Sequence, residues 1–407
     1  MKQAMRDVPK VVWLLATGIF FVALVSFTFV YLFVYLTGPR GLSTSYAGLI
    51  AGVGGVGMVA GNFTGGWFGD RYGHRRTLIT GMLVSGIGLA SLPVLPTALL
   101  PVLFPVCQYG TGITRASNSA LIAVSVPEGS RRQGFALLRL LGNAGMTVGP
   151  PIGALIASKI GYNWLFVADG LGMISFAVYA HFILPANGNQ RRHTDIPDDA
   201  PGLWTALRGS PTVLAVLLAV LVGDTVYRQQ YTTLPVFLGD HGVGTGFYGG
   251  LIFISGALVI VFELPITVAL RERSPLPVVG LGLMAIGLGF AALAVGVCYA
   301  AMAVVMIVLL TIGDILYKSP STAYVADHAP DCLQGRFQSM YAGASVSGFV
   351  FAAPLGGALY QVAPGLLWPL CTALGVGAGV LVLAARRLPG GRSAAVPPST
   401  AAAGAPR

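Results

Sequence analysis

The run VVWLLATGIFFVALVSFTFVYLFVYLT at 11–37 carries no charged residue, and about 20 such residues suffice for a helix to cross a bilayer. A cleaved leader has a shorter apolar core ending in a small-residue cleavage site, so this stretch reads as a retained first span. Apolar runs recur near 46–69, 77–94, 98–124, 134–158 and 163–184. Six more follow near 211–238, 247–269, 276–297, 299–323, 337–361 and 364–385. The pattern predicts an all-α polytopic membrane protein with twelve spans.

A polar stretch, PANGNQRRHTDIPDDAPGLWTALRGS at 185–210, divides the spans six and six. The expected organisation is a six-helix bundle over 1–184, a linker over 185–210 and a second bundle over 211–387. Residues 388–407, rich in Ala, Pro, Gly and Ser, have the composition of a disordered tail.

Composition agrees with this reading. Of 407 residues, 55% are hydrophobic and 9% charged, against about 25% charged in soluble domains. Charge placement then sets orientation. Eighteen of the 24 Lys and Arg residues fall at the N-terminus or in the segments on its side of the bilayer. The positive-inside bias places that side, with both termini, in the cytoplasm of a cell-membrane protein. The net charge of +10 is mostly this asymmetry and implies no nucleic-acid partner. Cys107, Cys298, Cys332 and Cys371 lack metal-ligand spacing and read as small apolar fillers.

The two halves resemble each other. SNSALIAVSVPEGSRRQGF at 117–135 answers SPSTAYVADHAPDCLQGRF at 319–337, each with a proline-marked turn before Gln-Gly. GMTVGPPIGA at 145–154 answers FVFAAPLGGA at 349–358. Such internal repeats are common in membrane transporters.

Between spans 2 and 3 lies GGWFGDRYGHRR at 65–76. Gly66, Asp70, Arg71, Gly73, Arg75 and Arg76 resemble motif A of the major facilitator superfamily. Gly73 suits a tight reversal, and Gly66 suits close helix approach. The resemblance implies a latch between the two bundles in the outward-open state. Gly145, Gly149, Pro150 and Gly153 in span 5 resemble motif C of the antiporter branch. YRQQYTTLPVFL at 227–238 and TIGDILYKSPS at 311–321 resemble the drug:proton antiporters. Three departures stand out. Val106 replaces the motif B arginine, span 1 has no acid, and the hook at 271–274 is reduced to RERS.

A charge at mid-span costs at least about 2.5–3.5 kcal/mol on insertion scales and marks pairing or function. Such charges are Arg115, Arg139, Asp169, Asp224, Arg228, Glu263, Asp314 and Lys318. Family architecture puts spans 1, 4, 7 and 10 around a cavity, so Asp224, Arg228, Asp314 and Arg115 become cavity charges. Asp224 is the first choice for a coupling proton and Asp314 the second, with Asp224–Arg228 and Asp314–Lys318 as i,i+4 pairs. Asp314 and Lys318 are expected in the cytoplasmic third, with Lys318 snorkelling to the interface. Asp169 is expected to cap or hydrogen-bond locally, and Arg139 to pair with Glu263 between bundles. Phe27, Tyr31, Tyr35, Gln108, Tyr227, Gln230 and Tyr231 are candidate substrate contacts, since aromatics with a few amides suit lipophilic ligands.

No GxxxxGK phosphate loop or HExxH pattern is present, so ATP through that loop is not the motor and no enzyme is expected. The resemblance implies a monomeric, cofactor-free exporter of small lipophilic molecules, driven by the proton gradient. Two alternatives stay open: a narrow exporter of an endogenous metabolite such as a sugar or natural product, or a transporter-like sensor without turnover.

Overall fold

The structure is a computed structural model that describes residues 10–125, 131–184, 207–270, 273–294, 298–328 and 334–387. Nearly all of them are helical. α1 runs Lys10–Leu24 and then Phe27–Thr37, α2 Thr44–Tyr72, α3 His74–Ser91, α4 Leu100–Ser125, α5 Arg131–Lys159 and α6 Asn163–Ile183. α7 runs Pro211–Tyr227, a 3-10 turn Arg228–Gln230 and then Thr233–Asp240. α8 is Thr245–Ala269, α9 Pro275–Ala294, α10 Tyr299–Asp327, α11 Gln334–Val362 and α12 Pro364–Ala385. Most of the linker, the whole tail and Cys332 lie outside the described residues.

Eleven segments are long and apolar enough to cross a membrane. α4 falls short on composition, although its 26 residues span roughly 39 Å. Gln108, Thr111, Thr114, Arg115 and Asn118 lower its hydropathy, and all five face the central cavity.

Helix pairing repeats six helices later. α1 packs on α5 and α6, as α7 packs on α11 and α12. α2 packs on α4 and α8 on α10, while α3 meets α4 and α6 as α9 meets α10 and α12. The two six-helix bundles join along α2–α11 and α5–α8.

At the α2–α3 hook, Gly73 ends one helix and starts the next at φ +92°. That conformation is nearly closed to residues with a Cβ. The inter-bundle seam is tight at the opposite, distal end. There Gly48 of α2 leaves room for the Ala353 carbonyl of α11, and Gly249 of α8 sits against Ala154 and the Tyr31 hydroxyl.

α1 and α7 are not continuous, contrary to the expectation from their apolar runs. α1 breaks at Val25–Ser26 and α7 at 228–232. Backbone groups freed inside a membrane must find partners. In α1 the Ser26 hydroxyl donates to the Val22 carbonyl at 2.7 Å, and the Thr28 amide donates to Asp169 Oδ2 of α6 at 3.0 Å. In α7, Gln229 Nε2 donates to the Ala352 carbonyl of α11 at 2.9 Å, and Gln229 Oε1 accepts from Thr232 and Thr233. Breaks at corresponding positions of two repeats are a recognised marker of a transporter binding site.

Candidate functional site

A cavity of about 1270 Å³ lies between the bundles beside both breaks. Its wall reaches Ile19, Asn118, Gly142, Glu263 and Ala323, which belong to the hook-side halves of their helices. At the distal end aromatic contacts close it. Phe29 of α1 lies against Tyr231 and Phe349, with ring centroids 4.6 and 5.5 Å away. Tyr31 donates to the Pro150 carbonyl at 2.5 Å, and Tyr248 donates to the Gln230 carbonyl at 3.0 Å.

Asp224 sits near the middle of α7 and is fully buried. Its Oδ1 accepts from the Tyr317 hydroxyl of α10, and its Oδ2 from the Ser345 hydroxyl of α11. Lys318 Nζ stands 4.0 Å from Asp224 and 3.1 Å from Asp314. One ammonium thus joins two carboxylates on two helices. Hydroxyls can donate to a carboxylate or accept from a carboxylic acid.

The arrangement differs from the expected pairing. Arg228 does not bridge Asp224; its guanidinium lies over the Phe349 ring, 3.2 Å from the centroid. The Arg228 amide still bonds the Asp224 carbonyl, but both Asp224 carboxylate oxygens are taken by Tyr317 and Ser345. The Asp314–Lys318 pair is present, but at mid-helix on the cavity wall. Lys318 does not snorkel to the interface, because two carboxylates and the Tyr227 ring, 5.1 Å away, hold it inside. Arg115 and Arg228 line the cavity from opposite bundles.

Asp169 does cap a helix, but across the bundle. It serves the second half of α1 rather than its own helix. Glu263 lines the hook-side part of the cavity. α5 and α8 pack together, with Thr147 against Gly256, while the Arg139 side chain lies outside the described residues.

Gln108, Tyr227 and Tyr231 line the cavity as expected from sequence, whereas Phe27, Tyr31, Tyr35 and Gln230 do not. The break in α1 turns Phe27 and Tyr31 toward Gly153 of α5, and Tyr35 lies tilted against Phe166 with ring centroids 4.5 Å apart. α1 instead presents Ser26, Thr28, Phe29, Leu32 and Phe33. Gln230 is fully buried. Tyr317, Ser345, Phe349 and Phe29 were missed. Tyr317 had a signal in its position beside Lys318; Ser345 is one small residue among many.

In the motif C segment, Gly145 and Gly149 lie against the α1 backbone at Phe20 and Leu24, and Gly153 against the Tyr31 and Phe27 rings. At the hook, Gly66 faces open space, and the close approach falls one residue earlier, where Gly65 meets Ile113 of α4. Arg71 stacks on Trp67 and Tyr72, 5.5 and 5.8 Å from their centroids. Arg75 donates to the His181 carbonyl of α6, and Arg76 is exposed. The Asp70 side chain lies outside the described residues.

Comparison with known proteins places this architecture. The uncharacterized MFS-type transporter YttB of Bacillus subtilis (strain 168) is 24% identical over 86% of this chain and 88% of its own. A multi-drug resistance efflux pump PmrA homolog of Lactococcus lactis subsp. lactis (strain IL1403) is 31% identical over 31% of each chain. A crystal structure of a POT peptide transporter with alafosfalin superposes with a TM-score of 0.79 at 15% identity, covering 92% of this chain and 94% of that one. The family model described as Major Facilitator Superfamily matches residues 15–345, and this multi-pass membrane protein belongs to that family of transporters.

Proposed function

We propose that this protein exports small lipophilic molecules in exchange for protons by alternating access, with its hook-bearing face in the cytoplasm. The observation that carries the reading is the Asp224–Lys318–Asp314 cluster, a titratable group at mid-membrane beside a closed-ended cavity. A coupling carboxyl must release its proton to one side and take it from the other. Asp224 is tied to three helices, α7, α10 and α11, through itself, Tyr317 and Ser345, so a shift of one helix against another changes its donors. Lost donors favour the protonated form and regained donors the ionised one.

The cavity extends toward the hook face while the distal seam is tight, which supports an inward-facing conformation. Its aromatic lining of Phe29, Phe33, Phe104, Tyr227, Tyr231 and Phe349 suits lipophilic ligands. Kinship with an efflux-pump homolog over part of the chain points the same way. The proposal is tested with purified protein in liposomes under an imposed pH gradient. Lipophilic dyes such as ethidium should accumulate on the acidic side and leak back when a protonophore is added. Equal dye distribution under the gradient contradicts proton antiport.

A further inference from the structure

Asp169 is 2% exposed, and its Oδ2 accepts the Thr28 amide at 3.0 Å. Its Oδ1 is buried and has no hydrogen-bond partner, and the residue forms part of the cavity wall. It stands seven residues into α6, about 10 Å from the distal end, where the cavity closes. The mechanism above leaves this carboxyl unused. The half-helix it caps, Phe27–Thr37, spans 11 residues.

Charged groups on the elements packed against α6 stand toward their ends. With described side chains these are His74, Arg75 and Arg76 on α3 and Lys159 on α5, while the side chains of Lys10, Arg131, Arg132 and Arg139 lie outside the described residues. Arg40, in the turn after α1, spends its donors on the Tyr35 hydroxyl and the carbonyls of Leu92, Pro93 and Leu95. The Tyr31 and Tyr35 hydroxyls donate and accept elsewhere, respectively. Among the described residues no ion pair reaches Asp169; the groups that face it are the Thr28 amide and the buried Thr28 hydroxyl. A buried carboxylate with one oxygen capped, the other unsatisfied and no counter-ion is a poor permanent anion. A purely structural cap needs only an acceptor, which an asparagine or serine would supply without that cost.

We infer that Asp169 is a second proton-binding site, placed in the N-terminal bundle as Asp224 is placed in the C-terminal one. This rests on the antiport reading above. In the outward-facing state, water at the opened distal end delivers a proton to Oδ1, giving the neutral acid. The Thr28 amide then holds a weaker acceptor, and the second half of α1 is freed to move relative to α6. In the inward-facing state the proton returns to water in the cavity, and the carboxylate recaps α1. Each bundle thus carries one proton, and each carboxyl sits at or beside an interrupted helix of its own bundle. Turnover is gated by Asp224, so the Asp169 proton adds to the Asp224 proton and drives no uphill transport without it.

The test measures the proton-to-ethidium ratio in proteoliposomes, with the membrane potential clamped at zero by potassium and valinomycin. Each exchanged proton raises the limiting dye accumulation roughly tenfold per pH unit. Wild type should exchange two protons, and Asp169→Asn one, because Asn keeps an acceptor for Thr28 but cannot titrate. Should the Asn variant fail to fold, Asp169→Ser takes its place with the same expectation. A wild-type ratio of one overturns the inference and leaves the antiport reading standing. So does a ratio of two that survives the substitution, since Asp169 is then only a cap. Wild type that builds no dye gradient from a pH gradient removes both.

Discussion

Asp224 on α7 and Lys318 on α10 approach to 4.0 Å, while the same lysine pairs with Asp314 at 3.1 Å. Buried charges deprived of a partner cost more than charges never placed there. Lys318→Met should therefore destabilise the protein by about 3–5 kcal/mol. Adding Asp224→Asn should recover part of that loss although a second charged group has been removed. Thermal unfolding in detergent checks this; additive losses contradict a shared charge cluster.

Tyr317 contributes one of the two hydroxyls on Asp224 and is itself fully buried. Tyr317→Phe keeps the ring packing and removes only the donor, a loss of about 1.5–3 kcal/mol for a bond to a charged group. Transport should fall while insertion and monodispersity are kept. Transport equal to wild type would assign the hydroxyl no part in coupling.

Gly73 stands at φ +92° between α2 and α3. Gly73→Ala should cost about 1–3 kcal/mol of stability through backbone strain alone. Asp70→Asn should act differently, weakening transport with stability kept, because it removes a charge from the proposed latch. Unfolding curves and dye uptake measured side by side separate strain from latching.

At the distal seam the Ser45 amide of α2 donates to Gln361 Oε1 of α11 at 3.1 Å. In a background without native cysteines, Ser45→Cys with Gln361→Cys, bridged by a short bis-thiosulfonate, should stop transport, and reduction should restore it. Cross-linked protein that still transports would mean that this seam does not open during the cycle.

Much of the fold was legible in sequence because hydropathy reports burial in lipid directly and the repeat at 117–135 and 319–337 is long. α4 shows the limit: its cavity-facing Gln108, Thr111 and Arg115 dilute the very signal that announces a span. Of the two breaks, the one in α1 was not legible, since no proline or glycine marks Val25–Ser26. The one in α7 had a signal in Pro235, which removes the bond to the Tyr231 carbonyl four residues back. Both depend on capping by Asp169 and Gln229 from positions that only the folded bundle brings near. Missing the α1 break also put the cavity face on Tyr31 and Tyr35 rather than on Phe29. The charged residues themselves were visible, because charge in a span is rare; their partners were not. Tyr317 and Ser345 look like ordinary span residues until α10 and α11 close around Asp224.

Uphill transport by Asp224→Asn tests the central claim most directly. One proton entering through 100 mV supplies about 2.3 kcal/mol, and the account assigns that coupling to the Asp224 carboxyl. In liposomes carrying a pH gradient, the variant should bind ethidium and exchange it downhill, yet build no dye gradient. If Asp224→Asn still concentrates the dye, and fails only when Asp314 is also neutralised, Asp224 is structural and the account is contradicted.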